Sequence, residues 1–424
     1  MIEKIKVYGK QKVNGKVNIS GAKNAALPLL AAALLSSDGM HLKNVPPLTD
    51  IATMLALLEN LGVDCQVLKN SPHANSIKLK TDSVENFTAP YEIVKKMRAS
   101  VLVLGPLLSR LGRCRVSLPG GCAIGVRPID LHLKGMEALG ATTELRDGYV
   151  YASAPRGLRG AEFAFPIVTV TGTENVMMAA ALANGTTILK NVAREPEIVD
   201  LANCLNKMGA NISGQGTDTI VIQGVTSLRC SEHTVVPDRI EAGTYALAAG
   251  ITGGRVDLLG GDFRKLLPGF LDKMEATGLS FSPIDDGLRA ESSGKISPVD
   301  IDTEPFPGYP TDLQAQCMAM LCLADGESTI RENIWENRFM HVAELMRMGA
   351  DISISGTHAH VRGAKHLVAA PVMATDLRAS FSLVLAALAA EGDTVIDRVY
   401  HLNRGYCCVK EKFAGCGVEL ERMR

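Results

Sequence analysis

Residues 171–222 read TGTENVMMAAALANGTTILKNVAREPEIVDLANCLNKMGANISGQGTDTIVI. A polar opening, Thr171 to Asn175, leads an apolar helical stretch that stops at Gly185. The β-branched strand Thr187-Ile188-Leu189 follows. A second helical pattern ends at Gly209, and the strands Asn211-Ile212-Ser213 and Thr219 to Ile222 close the segment. Glycine takes the left-handed conformation at a helix end without a Cβ penalty, so each of these glycines reads as a stop. The segment is one βαβ-type module.

The same punctuation recurs along the whole chain. Helix-ending glycines stand at Gly39, Gly112, Gly185, Gly253, Gly326 and Gly392. A second series stands at Gly62, Gly140, Gly209, Gly278, Gly349 and Gly417. Both series repeat at about 70 residues, a spacing that marks internal repeats. One module is too small to bury both of its faces. Three make about 210 residues, a reasonable large domain. The expected architecture is therefore α/β, with six repeats in two lobes of three.

Composition narrows the function. The chain has 424 residues, 46% hydrophobic and 21% charged, with 44 Lys+Arg against 45 Asp+Glu. That balance supports a sizeable core and gives no bulk attraction to nucleic acid or to an anionic membrane. Any anion must be held by a few placed cations. Aromatics at 4% argue against base-stacking platforms. Met1 to Val7 alternates apolar and charged residues and reads as a strand. The longest apolar stretch, Ala25 to Leu35, is broken by Pro28 and falls short of the roughly 20 residues of a membrane span. The expectation is a soluble cytoplasmic protein. Ten cysteines include no C-x-x-C pair, so each reads as a reduced, small apolar residue. His358 and His360 read as surface residues on a strand. No Walker, GxGxxG or HExxH device is present.

Two features suggest chemistry. The first helix of each repeat opens on polar residues: Lys23-Asn24, Arg98, Thr171 to Asn175, Asp238-Arg239, Thr311-Asp312 and Thr375 to Arg378. Thr311 and Thr375 read as ordinary N-caps. The cations Lys23, Arg98 and Arg378 oppose the helix dipole, which is tolerable where an anion lies between them and the helix end. Finally, Pro119 to Pro128 packs three glycines and two prolines around Cys122. Such a loop exposes its thiol, and Arg127 beside it favours thiolate.

Eight segments then carry a resemblance over essentially the whole chain: SGAKNAAL from Ser20, KMRAS from Lys96, PGGCAIGVRPIDLH from Pro119, REPEIVD from Arg194, PTDLQAQ from Pro310, ENRFMH from Glu336, TDLRAS from Thr375 and DRVYHLNRGY from Asp397. The sequence resembles the enolpyruvyl transferases, in particular those acting on UDP-N-acetylglucosamine. The resemblance implies a two-lobed inside-out α/β barrel of βαβαββ repeats with apolar helices inside and sheets outside. One discontinuous lobe would hold residues 1–22 and 237–424, the other 23–236, with the active site in the cleft between them. The implied reaction moves the enolpyruvyl group of phosphoenolpyruvate to the 3-hydroxyl of UDP-N-acetylglucosamine and releases phosphate, by addition and elimination through a tetrahedral intermediate. This would be the first committed step of peptidoglycan precursor synthesis.

The resemblance also implies roles. Cys122 is the proton donor to the methylene carbon, forms a covalent phosphoenolpyruvate adduct and is the residue alkylated by fosfomycin. Asp312 is the base facing the sugar hydroxyl. Lys23, Asn24, Arg127, Arg378 and Arg404 surround phosphoenolpyruvate, with Lys23 and Arg404 also catalytic. Asn24, Arg98, Arg127, Pro128, Ile129, Asp130, Leu131, the nucleotide-facing strand Ile167, Val168, Thr169 and Val170, then Asp312 and Ile334 contact the sugar nucleotide. Arg338 and Asp376 support. Family members commonly carry lysine where Ile167 stands and glycine where Thr171 stands. Leu68 to Ser76 reads as a surface insertion. No cofactor or metal is implied, no nucleic-acid or membrane partner, and the chain is expected to be a monomer. The rivals are a shikimate 3-phosphate acceptor on the same fold, a catalytically silent repeat protein that binds ligands, and a nucleic-acid end-processing enzyme built from related repeats. The third should show a more basic face and a catalytic histidine.

Overall fold

The computed structural model describes residues 3–82, 84–118 and 129–423. The backbone divides into two compact units. Residues 3–20 and 237–423 form one; residues 21–82, 84–118 and 129–236 form the other.

Each unit carries three four-stranded mixed sheets with one shared topology. Two consecutive repeats show it. Strand Glu162–Ala164 pairs in parallel with Thr186–Lys190, which pairs antiparallel with Thr219–Gln223, which pairs antiparallel with Asn211–Ser213. Likewise Thr88–Ala89 pairs with Arg113–Ser117, then Tyr149–Ser153, then Thr142–Arg146. The connection between the two parallel strands is helical, one helix in the first case and the pieces Tyr91–Val94, Arg98–Val103 and Leu104–Leu111 in the second, and a further helix precedes the final hairpin. This is the βαβαββ repeat. The sheets remain six separate open sheets among the described residues, so no hydrogen-bonded cylinder closes.

One strand is exchanged at each crossing of the chain between units. Asn14–Asn18 runs on toward helix Lys23–Ala32 but pairs in parallel with Arg255–Leu259. Glu232–Thr234 runs on toward helix Arg239–Thr252 but pairs in parallel with Met40–Val45. Each unit therefore completes a sheet with a strand whose own helix lies in the other unit's sequence.

Two kinds of helix alternate, and the sequence explains both. Arg239–Thr252 is buried from Arg239 to Ile251, as a helix apolar all round should be. It starts on Asp238, whose side chain accepts from the N–H groups of Ile240 and Glu241 at 2.9 and 3.1 Å, and stops on left-handed Gly253. Pro196–Lys207 instead buries Ile198, Leu201, Ala202 and Leu205, the i, i+3, i+4, i+7 stripe of an amphipathic helix lying on a core. All twelve punctuating glycines have positive φ, from 61° at Gly253 to 145° at Gly326.

The apolar helices pack against one another inside each unit: Arg239–Thr252, Gln314–Leu321 and Ser380–Ala389 in one, Lys23–Ala32, Leu104–Leu111 and Val170–Ala180 with the turn Arg98–Val103 in the other. Glycine permits the close approach. A Cβ on Gly105 would lie 2.4 Å from the Asn175 carbonyl oxygen, and one on Gly243 would lie 2.4 Å from a Leu313 methyl. The scarce aromatics concentrate in the first unit, where Phe381 lies 4.3 Å from Tyr406 and 5.8 Å from both Tyr245 and Phe413, centroid to centroid. Such pairs add about 0.5–1.5 kcal/mol each beyond area burial. No helix among the described residues is long and apolar enough to cross a membrane.

Leu68 to Ser76 forms the tip of the hairpin Asp64–Ser71 and Ala74–Lys80, exposed from Lys69 to Pro72, half-buried at Leu68 and from His73 to Asn75, and buried at Ser76. His358 and His360 lie on strand His358–Arg362, half-buried and exposed.

Candidate active site

In the unit containing residues 237–423, the chain enters helix Gln314–Leu321 through the 3-10 turn Thr311–Leu313. This turn presents Asp312. Its Oδ1 accepts from Arg338 Nη2 at 2.8 Å, and its Oδ2 lies 3.5 Å from Arg378 Nε in an ion pair. The turn is pinned from behind. Gln316 Nε2 donates to the Asp312 carbonyl and to the Tyr406 hydroxyl, both at 2.9 Å.

Arg378 is 2% exposed. It donates to the Gly405 carbonyl at 3.1 Å and to Asp238 Oδ2 at 3.5 Å. Burial by itself would lower its pKa; Asp238, Tyr406 and Asp312 outweigh that and raise it. Arg338, also buried, is raised in the same way, mainly by Asp312 and Asp376 against desolvation. Both guanidiniums are thus fixed positive charges, and the planar fork suits carboxylate and phosphate alike. Arg404 sits half-buried on the short helix Leu402–Gly405.

Two N-cap expectations fail here. Thr311 caps nothing: its hydroxyl donates to Glu332 Oε2 at 2.9 Å, and the cap position is Pro310. Thr375 is not the cap of its helix either. Asp376 caps the turn ahead of it, accepting from the N–H groups of Arg378 and Ala379 at 2.8 Å each, while the helix Ser380–Ala389 itself starts on Ala379 with no side-chain cap. A carboxylate competes better than a hydroxyl for those orphan donors, and capping by Asp376 orients the Arg378 backbone. His341, adjoining Arg338 and Asp376 electrostatically, is pushed down to about 4 by burial.

In the other unit Lys23 opens helix Lys23–Ala32 with no side-chain cap. It is 6% exposed, and its Nζ lies 3.3 Å from Asp50 Oδ2, itself 4% exposed. The anion beside this cation is thus in part the protein's own carboxylate. Asn24 follows half-buried. Arg98 begins the 3-10 turn Arg98–Val103 and is half-buried. Ile129 is buried as the residue before helix Asp130–Ala138; Asp130 is exposed and pairs with Lys134 at 3.5 Å; Leu131 is half-buried.

Residues 167–170 are not a strand. Ile167 and Val168 run irregularly into Thr169, the N-cap of helix Val170–Ala180, whose hydroxyl accepts from Gly172 N at 3.3 Å. A capping threonine three residues before glycine wins over β propensity at this position. The same capping puts Thr171 to Asn175 inside the helix rather than ahead of it. Ile167 is 70% exposed.

Sequence reasoning missed a polar centre behind this segment. Asn175 Nδ2 donates to His132 Nδ1 at 2.9 Å and to the Val101 carbonyl at 2.9 Å, and its Oδ1 accepts from Gly105 N at 2.7 Å. His132 Nδ1 therefore accepts, the proton sits on Nε2, and that nitrogen faces Thr171 Oγ1 at 3.3 Å. The neutral ring agrees with a pKa lowered to about 4 by burial and by Arg98. Asp50, Gln316 and Glu332 were also missed, as was the pairing of Asp238 with Arg378. Each also reaches a partner distant in sequence, as Asp50 does Lys23, Asp238 does Arg378, Gln316 does Tyr406 and Glu332 does Thr311, and of the four only Asp238 stood in a polar helix opening.

Cys122, Arg127 and Pro128 lie outside the described residues. Elsewhere the thiols of Cys114, Cys204, Cys317 and Cys322 are pushed up to about 12 by burial, so none is a ready thiolate. No metal-holding group of His, Cys, Asp or Glu occurs among the described residues.

The EPSP synthase (3-phosphoshikimate 1-carboxyvinyltransferase) family model matches residues 7–413. The chain is 56% identical over 424 residues to the UDP-N-acetylglucosamine 1-carboxyvinyltransferase of Dinoroseobacter shibae, covering 100% of both chains. It is 55% identical over 419 residues to that of a Psychrobacter species, covering 98% of this chain and 96% of the relative. Among solved structures, the enolpyruvyl transferase NikO from Streptomyces tendae superposes with a TM-score of 0.89 at 24% identity, over 100% of this chain and 99% of the other. EPSP synthase from Acinetobacter baumannii gives 0.75 at 16% identity, over 100% of both. These two likenesses concern the fold. With a full-length match above half identity and the repeat architecture in place, the chain belongs to the EPSP synthase family, on the branch of the UDP-N-acetylglucosamine 1-carboxyvinyltransferases.

Proposed function

We propose that this chain is a cytoplasmic, monomeric enzyme that transfers the enolpyruvyl group of phosphoenolpyruvate to the 3-hydroxyl of UDP-N-acetylglucosamine and releases phosphate. The observation that carries the reading is Asp312, a carboxylate held at a helix start between Arg338 and Arg378.

Asp312 takes the proton of the attacking sugar hydroxyl. The hydroxyl oxygen bonds to C2 of phosphoenolpyruvate while the C2–C3 double-bond electrons capture a proton from the Cys122 thiol, giving the tetrahedral intermediate. A thiol of ordinary pKa near 8.5 is mostly protonated at neutral pH and can donate. Elimination reverses the second proton transfer: C3 loses a proton, the C2–C3 double bond re-forms, and the C2–O bond to phosphate breaks. Lys23, Arg127, Arg378 and Arg404 hold the carboxylate and phosphate and stabilise charge as it gathers on the leaving group. Raised pKa values keep Arg378 and Arg338 charged across the working pH range. Arg98, Ile129 to Leu131, Ile167 to Val170 and Ile334 serve the sugar nucleotide.

Phosphate release from phosphoenolpyruvate, compared with UDP-N-acetylglucosamine and with shikimate 3-phosphate as acceptor, tests the assignment. Release with the nucleotide sugar alone is expected. Release only with the shikimate ester would transfer the chain to the alternative named by the family match.

A further inference from the structure

Glu332 is a buried carboxylate, 1% exposed, at the end of strand Glu327–Arg331. Its Oε1 accepts from Thr303 Oγ1 at 3.0 Å, from Ile334 N at 3.0 Å and from Trp335 N at 3.2 Å. Its Oε2 accepts from Thr311 Oγ1 at 2.9 Å. Thr303 Oγ1 in turn accepts from Asn333 N at 2.9 Å.

Among the described residues no cation is hydrogen-bonded to this carboxylate. A buried carboxyl group held by neutral hydrogen-bond donors, with Arg338 its electrostatic neighbour, is costly to place, so its geometry calls for a reason. Its four donors come from three pieces of chain: the strand edge at Thr303, the loop at Ile334-Trp335, and the turn at Thr311. The last two matter most. Thr311 precedes Asp312 in a single 3-10 turn, and the loop after Trp335 delivers Arg338 to the same Asp312 carboxylate. Glu332 therefore holds both approaches to Asp312: the turn that carries the carboxylate and the loop that carries its guanidinium partner. Ile334, assigned above to the nucleotide sugar, hangs directly on it through its backbone N–H.

We propose that Glu332, acting through Thr311, is a positioning residue that fixes Asp312 and the Ile334 backbone in mutual register for the sugar-nucleotide acceptor. The proposal rests on the acceptor assignment made above. It separates the two substrates: neither hydrogen bond touches a residue placed at phosphoenolpyruvate, and Arg378, which pairs with Asp312, is held independently by Asp238 and the Gly405 carbonyl, so that substrate's binding should change least. Two acceptor oxygens are needed because three donors converge on Oε1 and a fourth on Oε2. A glutamine could serve Oε1, but its amide nitrogen would present a donor to Thr311, and the hydroxyl would have to turn round.

The test is steady-state kinetics of the intact chain with Thr311→Val, Thr311→Ser and Glu332→Gln, alongside thermal unfolding. Thr311→Val removes only the tether and is isosteric, so it keeps the test open should Glu332→Gln not fold. Expected are a kcat lower by about 10-fold or more, since sub-ångström misplacement of a reacting group is costly, and a raised KM for the nucleotide sugar. A KM for phosphoenolpyruvate that changes less and near-complete rescue by Thr311→Ser should accompany them. Wild-type kinetics in Thr311→Val, an equal rise in both KM values, or failure of serine to rescue overturns the proposal while leaving the enzyme assignment standing. A wild-type chain that releases no phosphate with the nucleotide sugar overturns the assignment and this proposal together.

Discussion

Arg338 donates to Asp312 Oδ1 at 2.8 Å, and it does so from a side chain only 5% exposed. The carboxylate, 25% exposed, is the more open partner. The pair therefore has a buried cationic half and an accessible anionic half, which is the right polarity for a base that must meet a hydroxyl while its charge stays in place.

Asp312→Asn keeps the shape and removes the charge. Turnover should fall by about 10²- to 10⁴-fold, the usual worth of a general base, and stability by about 1–3 kcal/mol for charge-assisted hydrogen bonds lost. Phosphate-release kinetics and urea unfolding on the same sample separate the two. Full activity in the asparagine variant would remove Asp312 from the mechanism.

Arg378 ties Asp238, Asp312 and the Gly405 carbonyl together. Arg378→Met leaves buried Asp238 without that partner and should cost about 3–5 kcal/mol. Arg378→Lys keeps the charge but cannot reach three acceptors, so it should lose less stability and still lose most activity. Denaturant midpoints and kcat/KM for phosphoenolpyruvate check both.

Stability should peak between two opposing titrations. His132 and His341 are lowered to about 4 by burial, against an ordinary value near 6.5. Between those values the unfolded chain binds more protons, so stability is complete above pH 6.5 and falls as pH drops toward 4. Glu174 runs the other way. Burial, then Glu197 and Glu195, raises it well above its ordinary value, and its Oε1 has no hydrogen-bond partner among the described residues. The folded chain keeps this proton when the unfolded chain has lost it, so stability falls as pH rises above 4.5 until the folded group ionises. Glu174→Gln should therefore be more stable than the parent at pH 7, with the gap closing by pH 4.5. Unfolding free energies from pH 4 to 8 decide it; a gap that widens on acidification contradicts the argument.

Cys122→Ala should reduce turnover sharply, while Cys122→Asp, which can also donate a proton, should retain activity with an altered pH profile. Mass spectrometry after fosfomycin treatment should find the label on Cys122 and not on the exposed Cys230, while the buried thiols of Cys114 and Cys317 are pushed up to about 12 and stay unlabelled. A labelled Cys122 with undiminished activity would exclude it from catalysis.

Much of the fold was legible because its signals are local. A glycine that must take positive φ, an all-apolar helix and a β-branched strand declare themselves within a few residues, and twelve glycines in register exposed the repeat. Local reading failed where two local preferences competed. Thr375 caps no helix because its neighbour Asp376 holds the turn that leads into it, and residues 167–170 became a helix approach because Thr169 caps. Glu332 gave no signal, since a glutamate after a strand is ordinary until its four donors are in place.

The sequence by itself determined the repeat, the buried and half-buried helix types, and the residue types available for binding an anionic substrate. Tertiary structure alone decided the partnerships. Asp312 meets Arg338 across 26 residues and Arg378 meets Asp238 across 140. Such pairs form because burial leaves Arg338, Arg378 and Asp238 little water and one geometry in which each charge is satisfied. No spacing rule links them, because what brings them together is the packing of three apolar helices whose polar starts converge.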